Sequence, residues 1–216
     1  MNIREKRQLI SRKCPGVKIC AVTKNRSIAE VESLLSDLPE IKIIAENRWP
    51  NCEEKFKKFT NLQKHFIGPL QSNKLNKILP LTDVIQSIED LALLQKINQK
   101  ALELNKTIEF CFQVNISKDP AKHGIDEQNL SPILENYLKQ NLKNTKLIGL
   151  MTIGEKTNLN EREKYFQDFK KLFDAINTEY FFKNPLPTLS MGMSEDFELA
   201  IKAGSTMVRL GTCLFE

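Results

Sequence analysis

From Val17 onward the chain alternates short apolar, β-branched runs with amphipathic stretches of helical period. VKICAVT, at 17–23, has too few polar positions for a sheet with one wet face, and it reads as a strand buried on both sides. It gives way to SIAEVESLL, where Ser27 and Glu30 have capping-box spacing and Val31, Leu34, Leu35 and Leu38 form a stripe that Pro39 ends. The alternation then repeats. IKIIAEN precedes a helix expected over about 48–59, and HFIGPL precedes one opening near Gln71. DVIQSI leads to EDLALLQKINQKALEL, and IEFCFQVNI leads to a loop and a helix over 127–139. KLIGLMTI precedes a long helix carrying Phe166, Phe169, Leu172, Phe173 and Ile176. PTLSMGM precedes SEDFELAIKAG, which Ser194 is expected to cap and Gly204 to stop, and STMVRLGTCLF is expected to be the last strand.

Eight strands alternating with helices specify parallel pairing, and the natural closed solution is an α/β fold of the (β/α)8 TIM-barrel type, one domain over 1–216. At 216 residues the chain is short for a fold that typically runs to ~250, so its loops must be lean. An open doubly wound sheet is the alternative. Against it, no GxGxxG follows the first strand and no GxxxxGK[ST] occurs anywhere.

Composition removes several function classes. Two histidines leave no basis for a histidine metal site or a Ser/His/Asp triad, and no metal is expected. Five cysteines without a CxxC pair read as reduced core thiols. The net charge of +5 resides in clusters such as Lys55, Lys57, Lys58 and Lys170, Lys171, which lie among acids in helical stretches. They are read as solvated helix faces, and no nucleic-acid partner is expected. The N-terminus has no apolar leader segment and no stretch reaches transmembrane length, so a cytoplasmic protein without a membrane partner is expected. No uncovered apolar stripe is evident, and a monomer is expected.

Lys24 is the unusual feature, a lysine carried to the end of an apolar strand. It is either a solvated strand end or an amine held at the mouth of a pocket. In (β/α)8 barrels the active site lies at the C-terminal ends of the strands, and closure makes the first strand a neighbour of the eighth. In the eighth, Met207, Arg209 and Gly211 share one face by period-two alternation, with Val208 and Leu210 on the other. A buried arginine keeps its charge and needs an anion, an acceptor or water. Gly211 offers no side chain to obstruct a ligand, and Thr212 adds a hydroxyl. The SMGMS run adds Ser190 and Ser194 as donors and Gly192 for close backbone approach, ahead of a helix N-terminus. This corner suits a phosphorylated carbonyl compound held as a Schiff base on Lys24. Two readings fit: a Schiff-base aldolase acting on a sugar phosphate, or a protein that holds pyridoxal phosphate.

AVTKNRS, AENR, HFIGPLQSNK, VNISKDPAKHGI, GLMTIG and LSMGMSEDFELAIKAGSTMVRLGTCLF follow one another from residue 21 to residue 215. In these motifs the chain closely resembles the pyridoxal-phosphate homeostasis proteins (the YggS/PROSC family), which look like the N-terminal barrel of alanine racemase standing alone, a fold-type III pyridoxal-phosphate barrel. The resemblance implies that Lys24 forms the internal aldimine with pyridoxal 5′-phosphate. It implies that Ser190, Gly211 and Thr212 hold the phosphate, assisted by the backbone of the run containing Met191 and Gly192. Arg209 matches the arginine that faces the pyridine nitrogen, where a cation opposes ring protonation and limits carbanion chemistry. Burial beside that cation is expected to favour the neutral Lys24 amine needed for Schiff-base exchange.

Asn47 is read two ways, as a contact to the ring hydroxyl or as a cap on the following helix. His65 is read as structural. Lys74 and Lys122 belong to the shared motifs at the barrel mouth, and Lys122 is read two ways, as a solvated loop lysine or as a second amine through which the aldehyde leaves. The chain reads AENRWPN where the family usually has GENR-x-QE, which puts any role of that QE pair in doubt. The sequence stops soon after its eighth strand, so the second, mostly β domain that gives alanine racemase an opposing base is not expected. The expectation is a pyridoxal-phosphate carrier or regulator without turnover of its own, with apo-enzymes as recipients. A weakly active amino-acid enzyme and the aldolase remain the alternatives.

Overall fold

In the computed structural model, which describes residues 2–117, 123–154 and 157–216, the apolar runs become eight parallel barrel strands. They are β1 Lys18–Val22, β2 Ile43–Glu46, β3 Gln63–Phe66 and β4 Val84–Ile88, followed by β5 Ile108–Asn115, β6 Thr145–Met151, β7 Thr188–Ser190 and β8 Met207–Leu210. Each pairs with the next, and β8 returns to β1 with Arg209 opposite Cys20, closing the expected (β/α)8 barrel. Ile125–Asp126 adds a short parallel ladder to the end of β5.

Helices α1 Ile3–Arg12, α2 Ile28–Asp37, α3 Glu53–Lys58, α4 Leu75–Ile78 and α5 Leu91–Glu103 belong to the first half. The second half carries α6 Glu127–Lys139, α7 Leu159–Tyr180, α8 Phe197–Lys202 and α9 Thr212–Phe215. Ser27 and Glu30 make both bonds of the expected capping box on α2, and α6 fills its expected span. The core lies between the helices and the outer faces of the strands, where Phe56, Phe66, Phe110, Phe112, Phe166 and Phe169 are fully buried. Inside the barrel the side chains are smaller or polar, among them Cys20, Ala45, Val84 and Cys111.

Three local expectations are corrected, and one segment left unassigned gains an element. α3 begins at Glu53 rather than near 48, because Pro50 disfavours helical backbone at Trp49 and residues 49–52 form turns instead. α8 begins at Phe197 without a Ser194 cap, since the turn ahead of it closes on the Met193 carbonyl, which accepts from the Asp196 and Phe197 amides at 3.1 and 2.8 Å. The TCLF run is the helix α9, not more strand. The charged N-terminus is the helix α1, started by an Asn2–Glu5 capping box. From α1 the buried Arg7 donates to the Leu214 carbonyl (2.8 Å) and pairs with Asp37 (2.7 Å), fastening α1 to α9 and α2 over the β1–β8 seam.

Gly192, just past β7, has φ +92°, and a Cβ there would lie 2.5 Å from Ala200 Cβ on α8. Gly16 also has positive φ (+71°) but open space around it. Gly16→Ala is therefore expected to lose about 1 kcal/mol of unfolding free energy from backbone strain alone. Gly192→Ala adds the clash with α8 and is expected to lose about 1–3 kcal/mol more, read from urea midpoints of the two variants.

Candidate functional site

A cavity of about 220 Å³ opens at the C-terminal end of the barrel. Lys24 reaches it from the turn after β1, Arg209, Gly211 and Thr212 from the end of β8, and Ser194 to Asp196 from the loop after β7. Its size is below the ~300–1,000 Å³ usual for drug-sized ligands, so it suits a compact compound. The Lys24 turn is closed by the Arg26 amide donating to the Thr23 carbonyl at 3.1 Å, with Asn25 in left-handed backbone at φ +59°. Lys24 itself is exposed, which corrects the expectation that it is buried. A strand-end residue on a two-residue tip has too few neighbours to cover a side chain of that length.

Arg209 is 4% exposed, and its acceptors are all on the protein. Nη1 donates to the Ser190 carbonyl (2.9 Å) and Ser190 Oγ (2.8 Å), and Nη2 donates to the Thr152 carbonyl (2.7 Å). Ser190 Oγ donates in turn to Gln86 Oε1 (2.7 Å), and Gln86 Nε2 donates to His65 Nδ1 (2.6 Å). His65 Nε2 then donates to Gln63 Oε1 at 3.1 Å. A polar chain thus runs across the barrel interior from β3 to β8, with the inward alternation of Met207 and Arg209 as expected. Burial pushes the Arg209 pKa down, opposed by charges that include Asp196. Burial also holds His65 down to about 3, so the ring is neutral and structural. Desolvation raises the thiol pKa of Cys20 to about 12 and raises that of Cys111 as well, which removes the interior cysteines as nucleophiles at neutral pH.

Of the residues singled out from the sequence, Lys24, Arg209, Gly211 and Thr212 line the cavity together. Ser190, Met191, Gly192 and Asn47 do not line it. Ser190 is committed to Arg209 and Gln86, Met191 is in the core, and Gly192 lets α8 pack closely. Asn47 is half-buried beside Gly68. Lys74 ends a short 3-10 turn away from the cavity wall, and Lys122 lies outside the described residues.

Sequence reasoning missed Arg162 of α7, which also lines the cavity and faces Glu195 (3.5 Å) and Asp196 (3.8 Å) across it. Its place in the first turn of a helix after a barrel strand was the available signal, since that turn lies at the mouth. Ser194 accepts from the backbone amides of Gly211 (3.2 Å) and Cys213 (3.3 Å), so two donors converge on one oxygen at the cavity wall.

A closed (β/α)8 barrel with a lysine after β1 and an interior arginine on β8 defines a barrel of the alanine racemase kind, and the family model for the alanine racemase N-terminal domain matches residues 1–216. A pyridoxal phosphate homeostasis protein of Synechocystis is 37% identical over 212 residues, covering 96% of this chain and 94% of that protein. One from Helicobacter pylori is 35% identical over 204 residues, covering 93% and 87%. This chain belongs to the pyridoxal phosphate homeostasis protein family. PipY of Synechococcus elongatus, solved with PLP bound, is 29% identical with a TM-score of 0.87 over 100% of both chains. Alanine racemase of Clostridium difficile, at 19% identity and a TM-score of 0.79, shares the fold over 99% of this chain and 58% of its own.

The neutral His65 makes stability pH-dependent. Unfolded, it titrates near the ordinary histidine value of about 6.5; folded, only near 3. Between those values the unfolded chain binds the extra proton, so stability falls as pH drops below about 6.5. The expected loss is about 1.4 kcal/mol per pH unit, or about 2 kcal/mol between pH 6.5 and 5. Urea titrations of the protein and of His65→Gln check this, with the slope of the variant flatter in that window.

Proposed function

We propose that this protein binds pyridoxal 5′-phosphate (PLP) through a Schiff base on Lys24 and buffers it or hands it to apo-enzymes, without catalytic turnover of its own. The supporting observation is the convergence of the Lys24 amine and the Arg209 guanidinium on one compact cavity. When bound, PLP supplies an aldehyde that condenses with an amine and releases water. The donor set fits that compound. Thr212 and Ser194 offer hydroxyls to the phosphate, and Ser194 is held in place by the amides of Gly211 and Cys213. Ser190 acts by orienting Arg209 from below, and Met191 and Gly192 by packing the strand that carries it.

Two things support a carrier over an enzyme. The relatives are named for homeostasis. Arg209, held by fixed protein acceptors, would set a cation against the ring nitrogen and oppose the protonation on which carbanion chemistry depends. Among the described residues, no helix is long and apolar enough to cross a membrane.

The test is the visible absorption spectrum of the protein incubated with PLP, followed by borohydride reduction and peptide mass mapping. The expected result is a yellow species whose reduced adduct lies on Lys24 and which Lys24→Ala loses. An adduct scattered over surface lysines would remove the reading and bring the aldolase forward. Sustained turnover of an amino acid that disappears in Lys24→Ala would replace the carrier with an enzyme.

A further inference from the structure

The other buried ion pair near the mouth joins Glu46, the last residue of β2, to Lys55 of α3. Lys55 was expected on a solvated helix face but is 6% exposed, while Glu46 is fully buried. Lys55 Nζ lies 2.5 Å from Glu46 Oε1. Such a pair is a poor source of stability, because the desolvation of both ions offsets their attraction. This one is not optimised even as a pair, since Glu46 Oε2 is buried without a hydrogen-bond partner.

What the pair does have is a shared third partner. Lys55 Nζ donates to the Thr23 carbonyl at 2.6 Å, and Glu46 Oε1 accepts from Thr23 Oγ1 at 2.7 Å. The Thr23 amide donates to the Ala45 carbonyl at 2.9 Å, so every polar atom of Thr23 is fixed. The same Thr23 carbonyl opens the turn whose tip is Lys24 and Asn25. Lys24 is exposed, and its amine has no partner among the described residues. Among the described residues, the backbone of the turn is what fixes the root of that side chain.

We propose that the buried Glu46–Lys55 pair is a positioning device for Lys24, clamping Thr23 so that the next residue's amine faces the cavity. This rests on the PLP reading of the site. The two residues never touch the ligand and act on the rate at which Lys24 condenses with an aldehyde, not on the affinity for ring and phosphate.

The experiment uses the full chain and two probes, PLP and pyridoxamine 5′-phosphate, which keeps the ring and phosphate but has no aldehyde. Removing Lys55 alone would strand a buried carboxylate, so the main variant is the double Glu46→Leu/Lys55→Met, with Lys55→Arg as the conservative replacement. Rapid mixing with PLP reads the rate of the visible Schiff-base band, and borohydride mapping locates it. The double variant is expected to bind pyridoxamine phosphate within about twofold of the unmodified protein while its Schiff-base rate falls by roughly tenfold or more, with Lys55→Arg recovering most of the loss. If circular dichroism shows the double variant unfolded, Thr23→Val, which removes the hydroxyl that Glu46 holds and keeps both charges paired, takes its place with the same expectation. A variant rate within about twofold of the unmodified protein overturns the proposal, and so does a parallel loss of pyridoxamine phosphate binding, which would make the pair a general support of the pocket. If the unmodified protein forms no adduct on Lys24, the PLP reading itself falls, and this proposal with it; an intact Lys24 adduct with an unaffected variant overturns this proposal alone.

Discussion

Arg209 carries a guanidinium that no physiological pH discharges into the interior of a closed barrel, and all its protein acceptors come from other segments of the sheet. Ser190 ends β7, Thr152 follows β6, and through Ser190 the chain of bonds continues to Gln86 on β4 and His65 on β3. A slip of β8 by one residue would turn Arg209 outward among Val208's and Leu210's neighbours, the apolar side chains of α1, α2 and α9. It would also leave the two carbonyls and the serine without their donor. The register of the last strand is therefore fixed by one charge, and the placement of Gly211 and Thr212 at the cavity follows from that register.

The β1–β8 seam is the least local contact in the fold, since it joins the two ends of the chain. It is fastened from outside by Arg7, which bonds a carbonyl 207 residues away in the sequence. The Glu46–Lys55–Thr23 cluster then ties the end of β1 to β2 and α3. The Thr23 carbonyl in that cluster also closes the turn that carries Lys24, so an exposed lysine on a short turn still has a fixed root.

What the sequence displayed and what it concealed divide along the same physical line. Periodicity depends on solvent, so the strands, the Ser27 cap on α2 and the span of α6 were all legible from apolar spacing and capping chemistry. The period-two argument also put Arg209 on the inward face with Met207. Polar residues buried by tertiary pairing leave no such trace. Lys55 stands beside Lys57 and Lys58 and reads as one of three surface lysines, although its partner is only nine residues away. Arg7 lies in a segment that looks merely charged, and its helix shows only in the structure, where Asn2 and Glu5 cap it. Ser194 has the residue type of a cap, but its oxygen is taken by the amides at the end of β8, a competition that only the closed barrel creates.

The exposure of Lys24 bears on the kind of chemistry the site supports. A catalytic Schiff-base lysine profits from a desolvated pocket that excludes water and fixes the reacting groups. Here the amine stands at an open mouth, while the charge that faces the cavity from below is locked by carbonyls and a serine and has no freedom to follow a changing ligand. A rigid floor with an accessible amine favours repeated capture and release of an aldehyde over stabilisation of a carbanion. The proposed carrier role needs that combination: enough preorganisation to select one small phosphorylated ring, and enough access for another amine to take it away.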